Sequence, residues 1–344
     1  MRLSFVLVQI LLLLGALSGC QGISSWSAVP PMPSEKLSAP TPAAFNFPAR
    51  DSAFLEVTRD YGPLRVQEGE FEVVSERKPW SSWWYPVRNA YLFQGQGGEL
   101  SPLEKFDLYS VKARGRKTHA AYYERDNLYD PVAVAWEGLC HAWSIASLME
   151  PEPTRPLVLK GVSFGVGDLK ALLVKTYEEV DGLKRYGQRY DGDRLSQYDD
   201  IYPDQFHRFV QAELFEERRS FIMDKDPGVA IWNTPIWKAF LKITHDPDDL
   251  KVMHVTTWLT GASPFVDRYD FVGTLPVSFE YTYDLWGDPQ ADGTLAVRYG
   301  EWTGTSRDYH PDFVTPMPDS ALPHRSKNVE LDLAGVNEIL QRNF

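Results

Sequence analysis

The sequence predicts an α+β fold, in which a cysteine-bearing helix packs with an antiparallel sheet core and a β-rich lobe follows towards the C-terminus. Gly138 and Cys140 lead directly into helix-favouring residues at 142–149, which predicts a helix that begins at the thiol. Alternating apolar and polar residues predict half-buried strands in three later segments: 252–258, 275–285 and 294–302. Residues 51–344 are enough for one large domain or for a domain with an appendage.

The first twenty residues predict an export signal and no part of the fold. Arg2 is followed by an apolar run over 3–17 and then by small residues, which is typical of a secretory signal peptide. The sequence Leu-Ser-Gly-Cys at 17–20 resembles a bacterial lipobox, in which the cysteine, here Cys20, carries palmitate or another fatty acid. Gln21 favours delivery to the outer membrane, on its periplasmic side or at the cell surface. An ordinary cleaved signal peptide is the alternative.

The rest of the chain divides into three predicted regions. Residues 21–50 are rich in Ser, Ala and Pro, and this composition predicts a tether. Residues 51–249 contain the catalytic candidates, and residues 250–344 are expected to form the β-rich lobe and a C-terminal helix. The formal net charge of −12 argues against nucleic acid as a partner, so membrane contact is expected through the N-terminal lipid.

Cys140 is the candidate nucleophile. If Cys20 carries lipid, Cys140 is the one remaining thiol, and no disulfide within the chain is expected. A thiol on the first turn of a helix meets free backbone N–H groups and the positive end of the helix dipole, and both favour the reactive thiolate. The alternative is a small buried cysteine that only contributes to packing.

A cysteine nucleophile needs a base and a group that orients the base. We predict His207 as the base and Asp224, at the end of an apolar strand, as the orienting carboxylate. One element leading away and one returning separate these two residues, so both side chains could reach a common cleft. The reserve candidates are His254 with Asp267 or Asp270 in place of that pair, and Asp226 in place of Asp224.

Two further segments are weaker candidates. Gln94 lies in a glycine-rich loop at 94–98 and could contribute to an oxyanion hole, although a surface loop is the alternative. An acidic stretch could bind calcium through carboxylate oxygens, or could be a solvated loop, because its spacing is not that of an EF-hand. Its candidate ligands are Asp191, Asp193, Asp199 and Asp200.

Two motifs in this sequence resemble the transglutaminase-elicitor family, which comprises oomycete cell-wall transglutaminases and their bacterial relatives. The first is Gly-Leu-Cys-His at 138–141, which is followed by Glu-Pro-Glu-Pro at 150–153. The second is Ile-Trp-Asn-Thr-Pro-Ile at 231–236, which is similar to the Val-Trp-Asn-Gln-Pro-Val segment of the family. Thr234 stands where the family segment has Gln, so elicitor activity is not expected to carry over.

The resemblance implies a papain-like catalytic core and calcium-dependent transglutaminase activity. It implies Cys140 as nucleophile, His207 as base and Asp224 as the orienting carboxylate. Further candidates for the oxyanion hole or the cleft are Trp136, Trp232 and Asn233. No cofactor is certain from the sequence, and calcium is the one that the resemblance suggests.

The predicted function is that of a membrane-tethered cysteine acyltransferase, a protein-glutamine γ-glutamyltransferase. The thiolate attacks the carboxamide of a glutamine in a protein or peptide, and a primary amine then takes the acyl group. The same residues would serve a deamidase or a cysteine protease. The alternative from another class is a catalytically inactive envelope lipoprotein that binds cell-wall or protein ligands.

Overall fold

The computed structural model describes residues 55–189 and 200–341. The predicted signal peptide with Cys20, the tether, and the acidic residues Asp191, Asp193 and Asp199 lie outside these ranges. Within them, no helix has the length and apolar character that crossing a bilayer requires.

Seven helices and thirteen strands make up the described part of the chain. The helices are α1 (Glu56–Tyr61), α2 (Pro102–Arg114), α3 (Ala120–Tyr123), α4 (Cys140–Met149), α5 (Val166–Lys175), α6 (Pro203–Val210) and α7 (Leu333–Leu340). The first strands are β1 (Arg65–Val66), β2 (Gly69–Val74), β3 (Leu157–Leu159), β4 (Val162–Phe164), β5 (Glu179–Val180), β6 (Tyr186–Gly187) and β7 (Phe221–Asp224). The later strands are β8 (Asn233–His245), β9 (Val252–Ala262), β10 (Pro276–Pro289), β11 (Leu295–Trp302), β12 (Phe313–Pro316) and β13 (His324–Arg325).

One large antiparallel sheet organises the molecule. Its nine strands run in the order β1-β11-β10-β9-β8-β7-β12-β6, and β2 pairs with β8 outside this path. Two small two-stranded sheets, β3–β4 and β5–β13, stand apart from it. The predicted α+β class with an antiparallel sheet is confirmed. The predicted division at residue 250 falls in the connection between β8 and β9, which pair along most of their length, so the sheet continues across it.

Two apolar cores hold the helices. The first core contains buried residues of α2, α4, α5 and α7, together with the aromatic segment around Trp80 and Tyr85. The second core contains Phe206 and Phe209 of α6 and the side chains of β8 to β11 that face them. The cysteine helix and α6 therefore belong to different cores.

Local sequence signals explain where two of these helices begin and end. Ser101 caps α2 through the backbone N–H of Glu104, and the Glu104 carboxylate accepts from the backbone N–H of Ser101. The cysteine helix starts at Cys140 as predicted, and it ends before Glu150 because a proline follows.

Two segments differ from the sequence prediction. Apolar and polar residues alternate over 157–164, which is typical of one strand, but this segment forms a hairpin, β3 and β4, which turns where Lys160 and Gly161 both adopt positive φ. The sequence up to residue 74 is typical of short strands, but the structure has the helix α1 before β1 and β2. Lys-Gly is not one of the common turn signals, so the sequence pattern alone does not reveal this hairpin.

Candidate active site

The backbone before Cys140 is held tightly against an aromatic segment. The Leu139 N–H donates to the Trp84 carbonyl over 2.6 Å, and this contact fixes the start of α4. A Cβ at Gly138 would lie 2.7 Å from the same carbonyl oxygen and 2.8 Å from the Trp84 ring. Only glycine fits there without a shift of the backbone, so Gly138 and Trp84 together position the thiol.

The Cys140 sulfur is buried and faces the start of β8. The thiol donates to the Ile231 carbonyl oxygen over 3.5 Å, and the Asn233 side-chain amide donates to the sulfur over 3.7 Å. Burial raises the pKa of the Cys140 thiol, and the nearby Asp224 raises it further, whereas amide donors from Asn233 and His141 lower it. The effect of burial on the thiol pKa is larger than that of the helix N-terminus, because the sulfur is nearly inaccessible to water.

Asp224 is close enough to this thiol for its charge to act on it, although no hydrogen bond joins the two groups. It ends β7 and pairs across the ladder with Asn233, the residue whose amide reaches the sulfur. One carboxylate oxygen accepts the backbone N–H groups of Lys225 and Trp232, and the other has no hydrogen-bond partner among the described residues. Complete burial raises the pKa of Asp224 to about 7. Asp224 is therefore a carboxyl group that can gain or lose a proton near neutral pH.

His207 is buried elsewhere. Its Nδ1 atom lies 2.8 Å from the Tyr283 hydroxyl, which in turn lies 2.8 Å from the Thr257 hydroxyl. Burial, together with the neighbouring Arg208, lowers the pKa of His207 to about 3. The ring lines an apolar cavity beside Leu241 of β8. Leu241 and Asn233, whose amide reaches the thiol, are eight residues apart on β8, which is about 26 Å along the strand.

The alternation of β7 shows why His207 and Asp224 do not meet. Ile222 packs in the core of the cysteine helix, whereas Phe221 and Met223 pack in the core of α6. Asp224 has the same parity as Ile222 and therefore faces the thiol, while His207 on α6 lies across the sheet. The predicted triad is corrected accordingly: the structure places Asp224 on the side of the sheet that holds Cys140 and places His207 on the other.

The reserve pair is not at the thiol either. His254 is half-buried and lies between Asp284 at 2.7 Å and Asp246 at 3.0 Å, so neither Asp267 nor Asp270 orients it. None of the seven histidine rings, all of which lie in the described ranges, hydrogen-bonds to the sulfur of the candidate nucleophile.

The other predicted cleft residues fall into two groups. Trp136 and Asn233 line the same cavity as Cys140. Gln94 lines a different cavity, so the structure does not support it as an oxyanion donor for this thiol. Trp232 packs its ring against Phe265, and its contribution to the site is the backbone N–H that Asp224 accepts.

The described residues do not provide a calcium site. An Asp200 carboxylate oxygen lies 3.1 Å from His310 Nε2 in a buried contact, which leaves Asp200 poorly placed to bind a cation. The other three predicted ligands lie outside the described residues. No group of three or more acidic, histidine or cysteine side chains within residues 55–189 and 200–341 could hold a metal ion. No step of the chemistry below is therefore assigned to calcium.

The cavity in front of Cys140 has a volume of about 520 Å³ and contains residues that the sequence did not suggest. Three cations line it: Arg185, Arg189 and Lys327. They come from distant parts of the chain and show no common motif, so only the folded arrangement reveals them.

Comparisons with known proteins agree with this architecture. The model of the transglutaminase elicitor family matches residues 123–267, which include α4, β7 and β8. The fold is similar to the crystal structure of the GP42 transglutaminase from Phytophthora sojae, with a TM-score of 0.63 and 20% sequence identity. That similarity covers 86% of this chain and 98% of the other. A search of curated proteins found no match.

The family match includes Cys140, Asp224 and Asn233, whereas Lys327, Phe313 and the aromatic segment around Trp84 lie outside it. Both motifs that carry the predicted resemblance, at 138–141 and 231–236, fall inside the matched residues 123–267, so the resemblance to the transglutaminase elicitor family is confirmed for that stretch.

Proposed function

We propose that this protein is a transglutaminase in which Cys140 attacks the γ-carboxamide of a glutamine and Asp224 transfers the proton. One observation carries the proposal. A buried thiol lies at the wall of a cavity large enough for a side chain, and the Asn233 amide that reaches it belongs to the residue paired with Asp224, a buried carboxyl group with a pKa near 7. The match of residues 123–267 to the family model supports the reaction class. His207 and His254 have other hydrogen-bond partners, and this supports a mechanism without a histidine base.

The first half-reaction forms a thioester. Asp224, ionised above pH 7, accepts the thiol proton as the sulfur attacks the carboxamide carbon. The N–H of Cys140, which begins α4 and therefore has no acceptor in its own helix, can donate to the oxyanion that forms. The carbon–nitrogen bond then breaks, and ammonia leaves with the proton that Asp224 returns.

The second half-reaction releases the product. A primary amine attacks the thioester, loses a proton to Asp224 and forms an isopeptide bond, while the sulfur leaves and is protonated again. Attack by water instead would give deamidated glutamine. An acyl donor with a peptide bond in place of the carboxamide would be cleaved, which is the protease alternative. The resemblance also implies a papain-like core, which we retain as part of the proposal.

An inactive binding protein is the second candidate, and one observation favours it. Burial raises the pKa of Cys140, whereas a typical reactive cysteine has a lowered pKa. Iodoacetamide labelling of the folded protein separates the two functions. Labelling that rises between pH 6 and 8 together with Asp224 ionisation supports catalysis, and labelling seen only after denaturation supports the binding protein.

The direct test is a fluorescent primary amine offered with a glutamine peptide. We expect amine incorporation by the wild type and none by Cys140→Ser, with both proteins equally folded by circular dichroism. Mass spectrometry of the peptide distinguishes transfer, deamidation and cleavage. Incorporation by the serine variant at the wild-type rate would refute Cys140 as the nucleophile. The assay is run with and without calcium, since no calcium site is assigned.

We also propose that a lipid on Cys20 tethers the enzyme to the outer membrane. The lipobox-like sequence at 17–20 and Gln21 support this location. Metabolic labelling with palmitate and membrane fractionation test it. The wild type should carry label and sediment with outer membranes, and Cys20→Ala should do neither.

A further inference from the structure

The cavity in front of the thiol differs in charge from the protein as a whole. The chain has a formal net charge of −12, yet Arg185, Arg189 and Lys327 all line this cavity. Within residues 55–189 and 200–341, none of these three cationic groups has an ion-pair partner within 4.0 Å, although their neighbours Lys184 and Arg325 do. Their charge is therefore not matched by carboxylates of the described residues.

The carboxylates that share the cavity do not neutralise it. Glu124 and Glu178 both bind the buried Lys175 ammonium, at 2.8 Å and 2.6 Å. Glu178 also accepts from Ser326 and from the backbone N–H of Lys327. Glu137 is the third carboxylate on the cavity wall, so the lining, counted with Lys175, carries one more positive charge than negative.

Two of these cations, Arg185 and Lys327, lie near groups at the candidate site. Gly187 of β6 pairs with Phe313 of β12, and Arg185, just before β6, places its guanidinium carbon 4.3 Å from the centre of the Phe313 ring. Arg185 is near enough to Asp224 for the two charges to interact. Lys327 is near enough to the buried His141, next to the nucleophile, to lower the pKa of that imidazole, although burial lowers it more.

We propose that Arg185, Arg189 and Lys327 form a subsite for a carboxylate of the substrate, next to the glutamine or amine that reacts at Cys140. This inference rests on the proposed function and adds the substrate class. Guanidinium and ammonium groups bind carboxylates through charge-assisted hydrogen bonds, and they repel a free lysine ammonium approaching from the same side. The carboxylate can come from an acidic residue beside the glutamine, or from the amine if it is an amino acid.

Matched substrates distinguish the two sources. One pair of donor peptides differs only in Asp or Asn next to the glutamine, and one pair of acceptors is lysine and its amide. We expect one of the two pairs to favour the carboxylate partner by about tenfold in kcat/KM at low salt. Arg185→Gln and Lys327→Gln should each remove most of that preference, while Lys251→Gln, an exposed lysine on the β8–β9 connection, should retain it. Equal rates within both pairs would overturn the proposal.

A second experiment does not depend on transglutaminase activity. Iodoacetate and iodoacetamide both form a carbon–sulfur bond with the thiolate and release iodide, but only iodoacetate is an anion. The rate ratio of iodoacetate to iodoacetamide at Cys140, read by mass spectrometry, should exceed the ratio for glutathione. It should fall several-fold in Arg185→Gln, Arg189→Gln and Lys327→Gln, and should be unchanged in Lys251→Gln.

The two experiments fail in different ways. A raised iodoacetate ratio without any amine incorporation supports the carboxylate subsite and removes the transglutaminase proposal. Amine incorporation with an iodoacetate ratio equal to that of glutathione, and unchanged in the three cavity variants, overturns the subsite and leaves the proposed reaction intact.

Discussion

The two faces of the large sheet each bury a titratable side chain that the sequence suggested for catalysis, and they treat it in opposite ways. On the face of the cysteine helix, burial raises the pKa of Asp224 to about 7, and one carboxylate oxygen has no partner among the described residues. On the face of α6, burial lowers the pKa of His207 to about 3, and the ring bonds to Tyr283.

The difference teaches which of the two groups is available for chemistry. Burial favours the neutral form of both side chains, and neutral His207 already has a structural partner in its own core. Asp224 has a carboxylate oxygen without a partner among the described residues, and its charge acts on a thiol that has a proton to give. A perturbed pKa becomes useful at a site only where geometry brings a reacting group to it.

The largest effect that tests this comparison is on activity. Asp224→Asn keeps the shape of the side chain and removes its ability to accept a proton, so kcat for amine incorporation should fall by about 10³-fold. His207→Gln, the matched variant on the opposite face, should stay within a few-fold of wild type. Each is measured with the glutamine peptide and fluorescent amine at saturating substrate. The reverse ranking of these two variants would restore His207 as the base.

Strand parity explains why the sequence predicted the position of Asp224 correctly and that of His207 wrongly. Spacing along the chain showed that both could reach one cleft, but spacing does not say which side of a sheet a helix covers. The alternation of Phe221, Ile222 and Met223 between the two cores contains that information only once the cores are known.

Local signals predicted local structure well. The cap at Ser101, the cysteine helix and the strands after residue 250 follow from patterns a few residues long, and the structure has each of them. The cation-lined cavity depends on residues far apart in sequence, 185 and 327, which meet only through the sheet and the β5–β13 pair. No local pattern predicts such a site.

A second prediction uses the pH dependence of stability, for which the two faces have opposite signs. Asp224 binds its proton more tightly in the folded state, since its pKa rises from 3.8 to about 7. Its contribution to the free energy of unfolding is therefore lost as the pH rises from about 4 to 7, by on the order of 3 kcal/mol. His207 binds its proton less tightly when folded, because its pKa falls from 6.5 to about 3, so stability is lost as the pH falls through that range.

Urea unfolding of the two variants measures these contributions. Relative to wild type, Asp224→Asn should gain stability as the pH rises from 4.5 to 7.5. His207→Gln should gain stability as the pH falls from 6.5 to 4.5. A wild-type profile that both variants reproduce without change would show that neither group has a shifted pKa.

A third prediction concerns Asn233, which connects the thiol to Asp224. Its side-chain amide reaches the sulfur and helps to lower the thiol pKa against the effect of burial. Asn233→Ala should therefore raise the thiol pKa further and reduce kcat/KM by about 10- to 100-fold, with little loss of stability. The pH profile of iodoacetamide labelling checks the pKa directly, and an unchanged profile would limit Asn233 to packing.

The smallest expected effect is on the opposite face, at Tyr283. Its hydroxyl lies within hydrogen-bonding distance of both His207 and Thr257, and all three side chains are buried. Tyr283→Phe leaves both partners without this bond, which should lower the free energy of unfolding by about 1–3 kcal/mol in urea titrations. Amine incorporation should be unchanged, because the thiol and Asp224 lie across the sheet. A variant of full stability that loses activity would instead place this hydroxyl in the catalytic chemistry, and would remove the separation of the two faces on which the assignment of Asp224 depends.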